Sequence, residues 1–160
     1  MNPPIIADIR PHHFSISVPD LEQGIRFWTE TFGATVDNRF KVAAIGGSGA
    51  FPSIGSLKLE LWELTGAKPV PDERKTPNSD LLTNGTKHIA FSVPDLQSSI
   101  EALHRAGVKI VAVQRERGLP MQAEADPTLA FDPTRKPAFA AFIHDPAGTL
   151  IEILNRPSVE

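Results

Sequence analysis

The sequence predicts an α+β protein built from two tandem βαβββ modules. Three observations carry that reading. The chain repeats itself once: His13–Ile25 (HFSISVPDLEQGI) and His88–Ile100 (HIAFSVPDLQSSI) match at His, Ser, Val, Pro, Asp, Leu and Ile. Each copy opens on the same run of alternating residues, proline, aspartate and helical periodicity. Each closes on an apolar strand with a glutamate inside it, Leu57–Leu61 (LKLEL) and Leu150–Leu154 (LIEIL). A repeat of this length marks a duplicated supersecondary unit. Module one covers about 10–65, a linker 66–85 and module two about 86–156, all within one domain of residues 1–160.

The elements follow in order. Phe14, Ile16 and Val18 alternate with His13, Ser15 and Ser17, the pattern of a half-buried strand. Pro19 ends the ladder because it has no N–H to donate, and Asp20 is placed to cap a helix. Leu21, Ile25, Trp28 and Phe32 recur at helical spacing as a core face, and Gly33 suits the left-handed C′ position. The second copy repeats this with a strand over 88–93, Asp95 as cap, Leu96, Ile100 and Leu103 on one face, and Gly107 as terminator. Further strands are expected at Arg39–Ile45, Leu57–Trp62, Val108–Val113, Ala138–Ile143 and Thr149–Leu154, with a weaker signal at Ala34–Val36.

Composition narrows the function classes. The chain has 160 residues, a net charge of −3, 41% hydrophobic residues and no cysteine. Without cysteine there are no disulfides, no thiolate zinc sites and no thiol nucleophile. The slight acidity argues against nucleic acid as a partner, since phosphate recognition needs a basic excess. No apolar run approaches the roughly 20 residues that span a bilayer, so no membrane partner is expected. Residues 1–10 lack a basic stretch leading into an apolar core, so no signal peptide is read and a cytoplasmic location is the expectation.

The chemistry-bearing residues recur as a set. His13 and His88 begin the first strands of the two modules; Glu60 and Glu152 lie on the last. Strand side chains alternate, so Glu60 points away from Leu59 and Leu61, and Glu152 away from Ile151 and Ile153. A carboxylate amid an apolar strand is costly unless partnered. Two carboxylates and two imidazoles at matching positions point to one divalent cation that satisfies all four: His13, Glu60, His88 and Glu152 as metal ligands. His12, His104 and His144 have no such repetition and read as structural or surface residues, with His12 and His144 candidates for supporting the ligands. Imidazole and carboxylate donors together suit Mn, Fe, Co, Ni or Zn without choosing among them.

The motifs HFSISVPDL, KHIAFSVPDL and FIHDPAGTLIEIL resemble the module openings and closing acidic strand of the vicinal oxygen chelate superfamily, over essentially the whole chain. That superfamily includes glyoxalase I, methylmalonyl-CoA epimerase, fosfomycin-resistance and bleomycin-binding proteins, and extradiol dioxygenases. The resemblance implies paired modules forming a curved, half-barrel mixed sheet around a central metal, held by His13, Glu60, His88 and Glu152. It also implies a small substrate chelated through adjacent oxygens, and proton transfer by a ligand carboxylate, Glu152 or Glu60. A glutamate at position 60 favours lyase or isomerase chemistry of the glyoxalase and epimerase kind. The alternatives are an Fe(II)-dependent extradiol-type dioxygenase, from the triad His13, His88 and Glu152, and a non-catalytic antibiotic-binding protein.

Two departures bear on the substrate. The arginine that glyoxalase I carries on its first strand has no counterpart in Phe14–Val18, and Lys41–Ile45 lacks the second acid of methylmalonyl-CoA epimerases. Neither glutathione nor two-base epimerisation is therefore implied. The proline-rich stretch Gln114–Pro137 reads as a lid or a surface arm, and its cations Arg115, Arg117, Arg135 and Lys136 as solvated charges or contacts for an anionic substrate. A homodimer is the general expectation for a soluble protein of this kind.

Overall fold

A computed structural model describes residues 10–116, 121 and 136–158. The chain divides into two compact units, Met1–Ala67 and Lys68–Glu160, so the linker packs with the second module. Unit one runs β1 (His13–Ser17), α1 (Leu21–Phe32), β2 (Thr35–Val42), β3 (Gly47–Ile54) and β4 (Leu57–Leu64). Unit two repeats that order as β5 (Ile89–Val93), α2 (Leu96–Arg105), β6 (Ile110–Gln114), β7 (Ala140–His144) and β8 (Leu150–Asn155). Each unit holds one open, four-stranded mixed sheet, ordered β1-β4-β3-β2 and β5-β8-β7-β6. The first and last strands of each module pair in parallel at the sheet edge and the other pairs are antiparallel. This is the α+β pair of βαβββ modules read from the sequence. Matching bulges in β2, between Val36 and Asn38, and in β6, between Ile110 and Ala112, bend both sheets.

The helices form for the expected reasons. The Asp20 carboxylate accepts the Gln23 N–H at 2.7 Å, and Asp95 accepts that of Ser98 at 3.1 Å. Each cap satisfies one of the amides that a helix start leaves open. Glu63 on β4 adds a second acceptor for α1, taking the Leu21 N–H at 2.6 Å. Gly33 ends α1 in the left-handed region, at φ 66°. The apolar faces are buried as expected: Leu21, Ile25 and Trp28 over Leu59 and Leu61 in unit one, and Leu96, Ile100 and Leu103 in unit two.

Three expectations are corrected. Ala34–Val36 and Arg39–Ile45 are not separate strands: Thr35–Val42 form the single strand β2, with a register shift between Val36 and Asn38, and Ala43–Ile45 form a 3-10 turn after it. The third strand of module one is Gly47–Ile54, which was not among the expected strands. The glycines there mark close approach. A Cβ on Gly49 would lie 2.4 Å from the Phe40 ring and 2.5 Å from the Leu61 carbonyl, so only glycine fits. Phe14 is half exposed rather than core, because it starts an edge strand. Among the described residues, no helix is long and apolar enough to cross a membrane.

The turn before β8 carries a buried acid. Asp145 Oδ1 accepts the amides of Ala147 and Thr149 at 2.9 and 2.8 Å, while Oδ2 is buried without a hydrogen-bond partner. Burial pushes this carboxyl above its ordinary value, against the pull of the turn amides. Lys75, whose side chain lies against Gly148 of this turn, is already bonded to Asp72 at 2.7 Å. A raised carboxyl stabilises the fold at low pH, and that contribution fades as pH rises through its folded value. Asp145→Asn keeps the Oδ1 acceptor and removes the charge. The variant should therefore gain stability relative to wild type as pH climbs from about 4 to 8, measured by urea unfolding. Parallel pH profiles for the two proteins would refute it.

Candidate metal centre

The sequence-predicted ligands fall into two matching pairs, one per unit. In unit one, strand register sets His13 opposite Lys58, two residues from Glu60. That diagonal brings His13 Nε2 to 3.5 Å from Glu60 Oε2. In unit two, the register Ile89↔Ile151 places His88 beside Leu150, again two residues from the glutamate. His88 Nε2 lies 3.1 Å from Glu152 Oε2. Both glutamates face away from the helix. Leu59 and Leu61 turn toward α1 with no exposed surface, and Ile151 and Ile153 are buried likewise on the helix side of β8. The glutamate side chains are only 19% and 14% exposed.

Each pair has an aromatic neighbour that sequence reading missed. His13 packs edge-on against Phe51, with ring centroids 5.8 Å apart, and His88 against Phe142 at 5.7 Å. Phe142 is the direct cross-strand partner of Glu152. The register Ala50↔Leu61 and Ser53↔Lys58 puts Phe51 opposite Glu60 in the same way. The repeated unit of the site is therefore His–Glu–Phe, with the histidine starting β1 or just preceding β5, the glutamate on the last strand and the phenylalanine on the third. The dipeptides Ala50-Phe51 and Ala141-Phe142 were the signal available in the sequence. Around them, Phe40 and Trp62 complete an aromatic patch in unit one, and Ala140, Phe142 and Leu150 form an apolar cluster with Leu154 and Met121 in unit two.

Glutamate sets the local electrostatics. Its hydrogen bond to His88 holds the imidazolium above the ordinary histidine value, although partial burial pulls the other way. The pairs also have the spacing of two donors on one cation. Donors about 2.0–2.2 Å from an ion lie about 2.8–3.1 Å apart at right angles and about 3.3–3.6 Å apart at a tetrahedral angle. The observed 3.1 and 3.5 Å fall within those ranges. Each imidazole–carboxylate pair thus has the donor chemistry and the spacing to share a divalent ion. Within either unit, no third histidine, aspartate or glutamate completes a metal-holding group among the described residues.

His12 Nδ1 lies 2.7 Å from His13 Nδ1. The His144 ring bonds the Lys75 carbonyl at 2.7 Å, a structural tie, and His104 is exposed on α2. At the feet of the long loop, Arg115 donates to the Lys136 carbonyl at 2.6 Å, and the Lys136 ammonium bonds Glu116. Those charges fasten the loop's two ends together. Arg117, Arg135 and most of the stretch read as a lid lie outside the described residues.

Two βαβββ modules, each with an imidazole–carboxylate pair from its parallel first and last strands, define a paired-module α+β class, and the sequence comparisons give its family. The profile of the Glyoxalase/Bleomycin resistance protein/Dioxygenase superfamily matches residues 10–153, and the chain belongs to that superfamily. Human mitochondrial methylmalonyl-CoA epimerase is 26% identical over 113 residues, which span 68% of this chain and 60% of the human protein. Among solved structures, the trypanothione-dependent glyoxalase I of Leishmania major aligns with a TM-score of 0.64 and 24% identity, over 94% of this chain and 89% of its own. The genomically encoded fosfomycin resistance protein FosX of Listeria monocytogenes aligns at 0.61 and 16%, over 94% of each chain. At these identities the structural likenesses show the fold.

Proposed function

We propose that the protein is a metal-dependent lyase or isomerase of the glyoxalase and epimerase type, acting on a small substrate with two adjacent oxygens. The observation that carries this reading is the duplicated His–Glu–Phe set. His13, Glu60, His88 and Glu152 would hold one divalent ion, drawn from Mn, Fe, Co, Ni or Zn. Once bound, the ion supplies Lewis-acid polarisation of the substrate's vicinal oxygens, which acidifies the adjoining C–H bond. The chain's own residues do the rest. A glutamate oxygen removes the proton from that carbon and returns it to the product as general base and then general acid. Glu60 is the better placed of the two, because its 3.5 Å contact with His13 is looser than the 3.1 Å contact that anchors Glu152. Phe51 and Phe142 shield the imidazoles, and the apolar faces around the glutamates exclude water, which strengthens each electrostatic contact made there.

Glu60 also weighs against the dioxygenase alternative. A fourth protein donor takes one of the positions that a two-His-one-carboxylate iron site leaves to substrate and oxygen. The experiment is solvent deuterium uptake. Metal-loaded protein should label the C–H next to the oxygens in a panel of hemithioacetals and 2-substituted malonyl thioesters, and Glu60→Gln should lose labelling by about 10²–10⁴-fold. Oxygen consumption with catechols, without any such labelling, would transfer the protein to the dioxygenase class. We further propose a homodimer, checked by light scattering.

A further inference from the structure

The two modules match at His, Glu and Phe but differ one residue upstream of each histidine. Module two has Lys87 there. Its ammonium donates to the Asp80 and Thr83 carbonyls and lies 3.2 Å from the Asp80 carboxylate. It is committed to that loop and holds no lone pair to offer His88. Module one has His12, whose Nδ1 lies 2.7 Å from Nδ1 of His13 with the rings edge to face. A contact this short between two ring nitrogens needs one proton between them, so one imidazole donates and the other accepts.

That proton decides what His13 can do. If His12 donates, His13 carries its own proton on Nε2, which points at Glu60, and has no lone pair there for a cation. If His13 donates from Nδ1, its Nε2 lone pair is free on the Glu60 side. We infer that His12 is a positioning residue for the metal centre: its Nδ1 accepts the His13 Nδ1–H and so holds His13 in the tautomer that binds a cation through Nε2. An acceptor behind a ligating histidine fixes tautomer and ring orientation and raises ligand basicity. The device is asymmetric among the described residues: His12 stands behind His13, whereas the residue before His88 is Lys87, bonded to Asp80 and Thr83. The inference rests on the metal reading above, and it assigns to His12 a role that the duplicated set does not contain.

The test uses the full chain and Co(II) or Zn(II) alone. Competition with a chelator should show His12→Ala binding about 10–100-fold more weakly than wild type. His12→Asn, whose side-chain oxygen can accept, should recover much of the loss. His12→Lys, which copies module two and offers no acceptor, should not. Ring-nitrogen NMR on the metal-free chain gives a second readout: His13 should shift its Nδ1–H/Nε2–H balance when His12 is replaced by alanine and leave it largely in place with asparagine. Wild-type binding matched by equal binding in His12→Ala, with unmoved His13 resonances, would overturn this inference and leave the metal reading standing. A wild-type protein that takes up neither ion would overturn both.

Discussion

His88→Ala should weaken divalent-ion binding by about 10²–10³-fold. A four-ligand structural zinc site binds with about 10–16 kcal/mol, so one ligand carries roughly 2.5–4 kcal/mol, or two to three powers of ten. The loss also strands Glu152. Its side chain is 14% exposed on an apolar face, and the imidazole 3.1 Å away is its ion-pair partner. The effect should be confined to the site. His88 is 38% exposed and precedes β5 rather than sitting in the core, so unfolding midpoints of the metal-free proteins should stay close together. Chelator competition reads the affinity, and urea unfolding without metal supplies the control. Equal affinity in the variant would remove His88 from the ligand set. A collapse of the fold without metal would show its role to be structural.

Trp28→Ala should cost about 3–5 kcal/mol of stability, the range for truncating a fully buried large aromatic. Trp28 has no exposed surface, and its ring packs on Phe32 at a centroid distance of 5.0 Å and on Phe27 at 5.5 Å. It sits on the face of α1 that also buries Leu21 and Ile25, against a sheet whose Leu59 and Leu61 are fully covered. The neighbours belong to α1 and β4, so they cannot close the gap without moving an element, and most of the cavity should remain. Since domains of this size hold about 5–15 kcal/mol in total, the variant should unfold at a much lower urea concentration. A loss below about 1 kcal/mol would mean that the cavity closes, against the packing described.

The duplication made much of the fold legible. Asp20 and Asp95, the apolar faces of α1 and α2, and the strands around Glu60 and Glu152 all obeyed local rules, and the second copy corroborated the first. What escaped was set by tertiary contact. Gly47–Ile54 is one such strand, because its glycines answer to the Phe40 ring and the Leu61 carbonyl, neighbours in space that no local window contains. The expected boundary between Ala34–Val36 and Arg39–Ile45 falls at a register shift that leaves β2 continuous. The candidates His13, Glu60, His88 and Glu152 were singled out by repetition at matching positions, and the structure shows the contacts His13–Glu60 in one unit and His88–Glu152 in the other. Phe51 and Phe142 were not, because aromatic residues are common in strands and register alone places these two opposite the glutamates. The His12–His13 contact was hidden too: simple alternation sends adjacent side chains to opposite faces. His12 precedes β1, so it is not bound by that rule.

The central claim is that the two His–Glu pairs serve one shared cation. Its most direct test is the stoichiometry of bound metal, by elemental analysis after loading with Mn, Co, Ni or Zn and removal of free ion. The expected result is one ion per chain in the wild type, falling toward none when either pair is broken, in His13→Ala as in His88→Ala. Two ions per chain, each lost with only one of the pairs, or no retained ion under any loading, would contradict it.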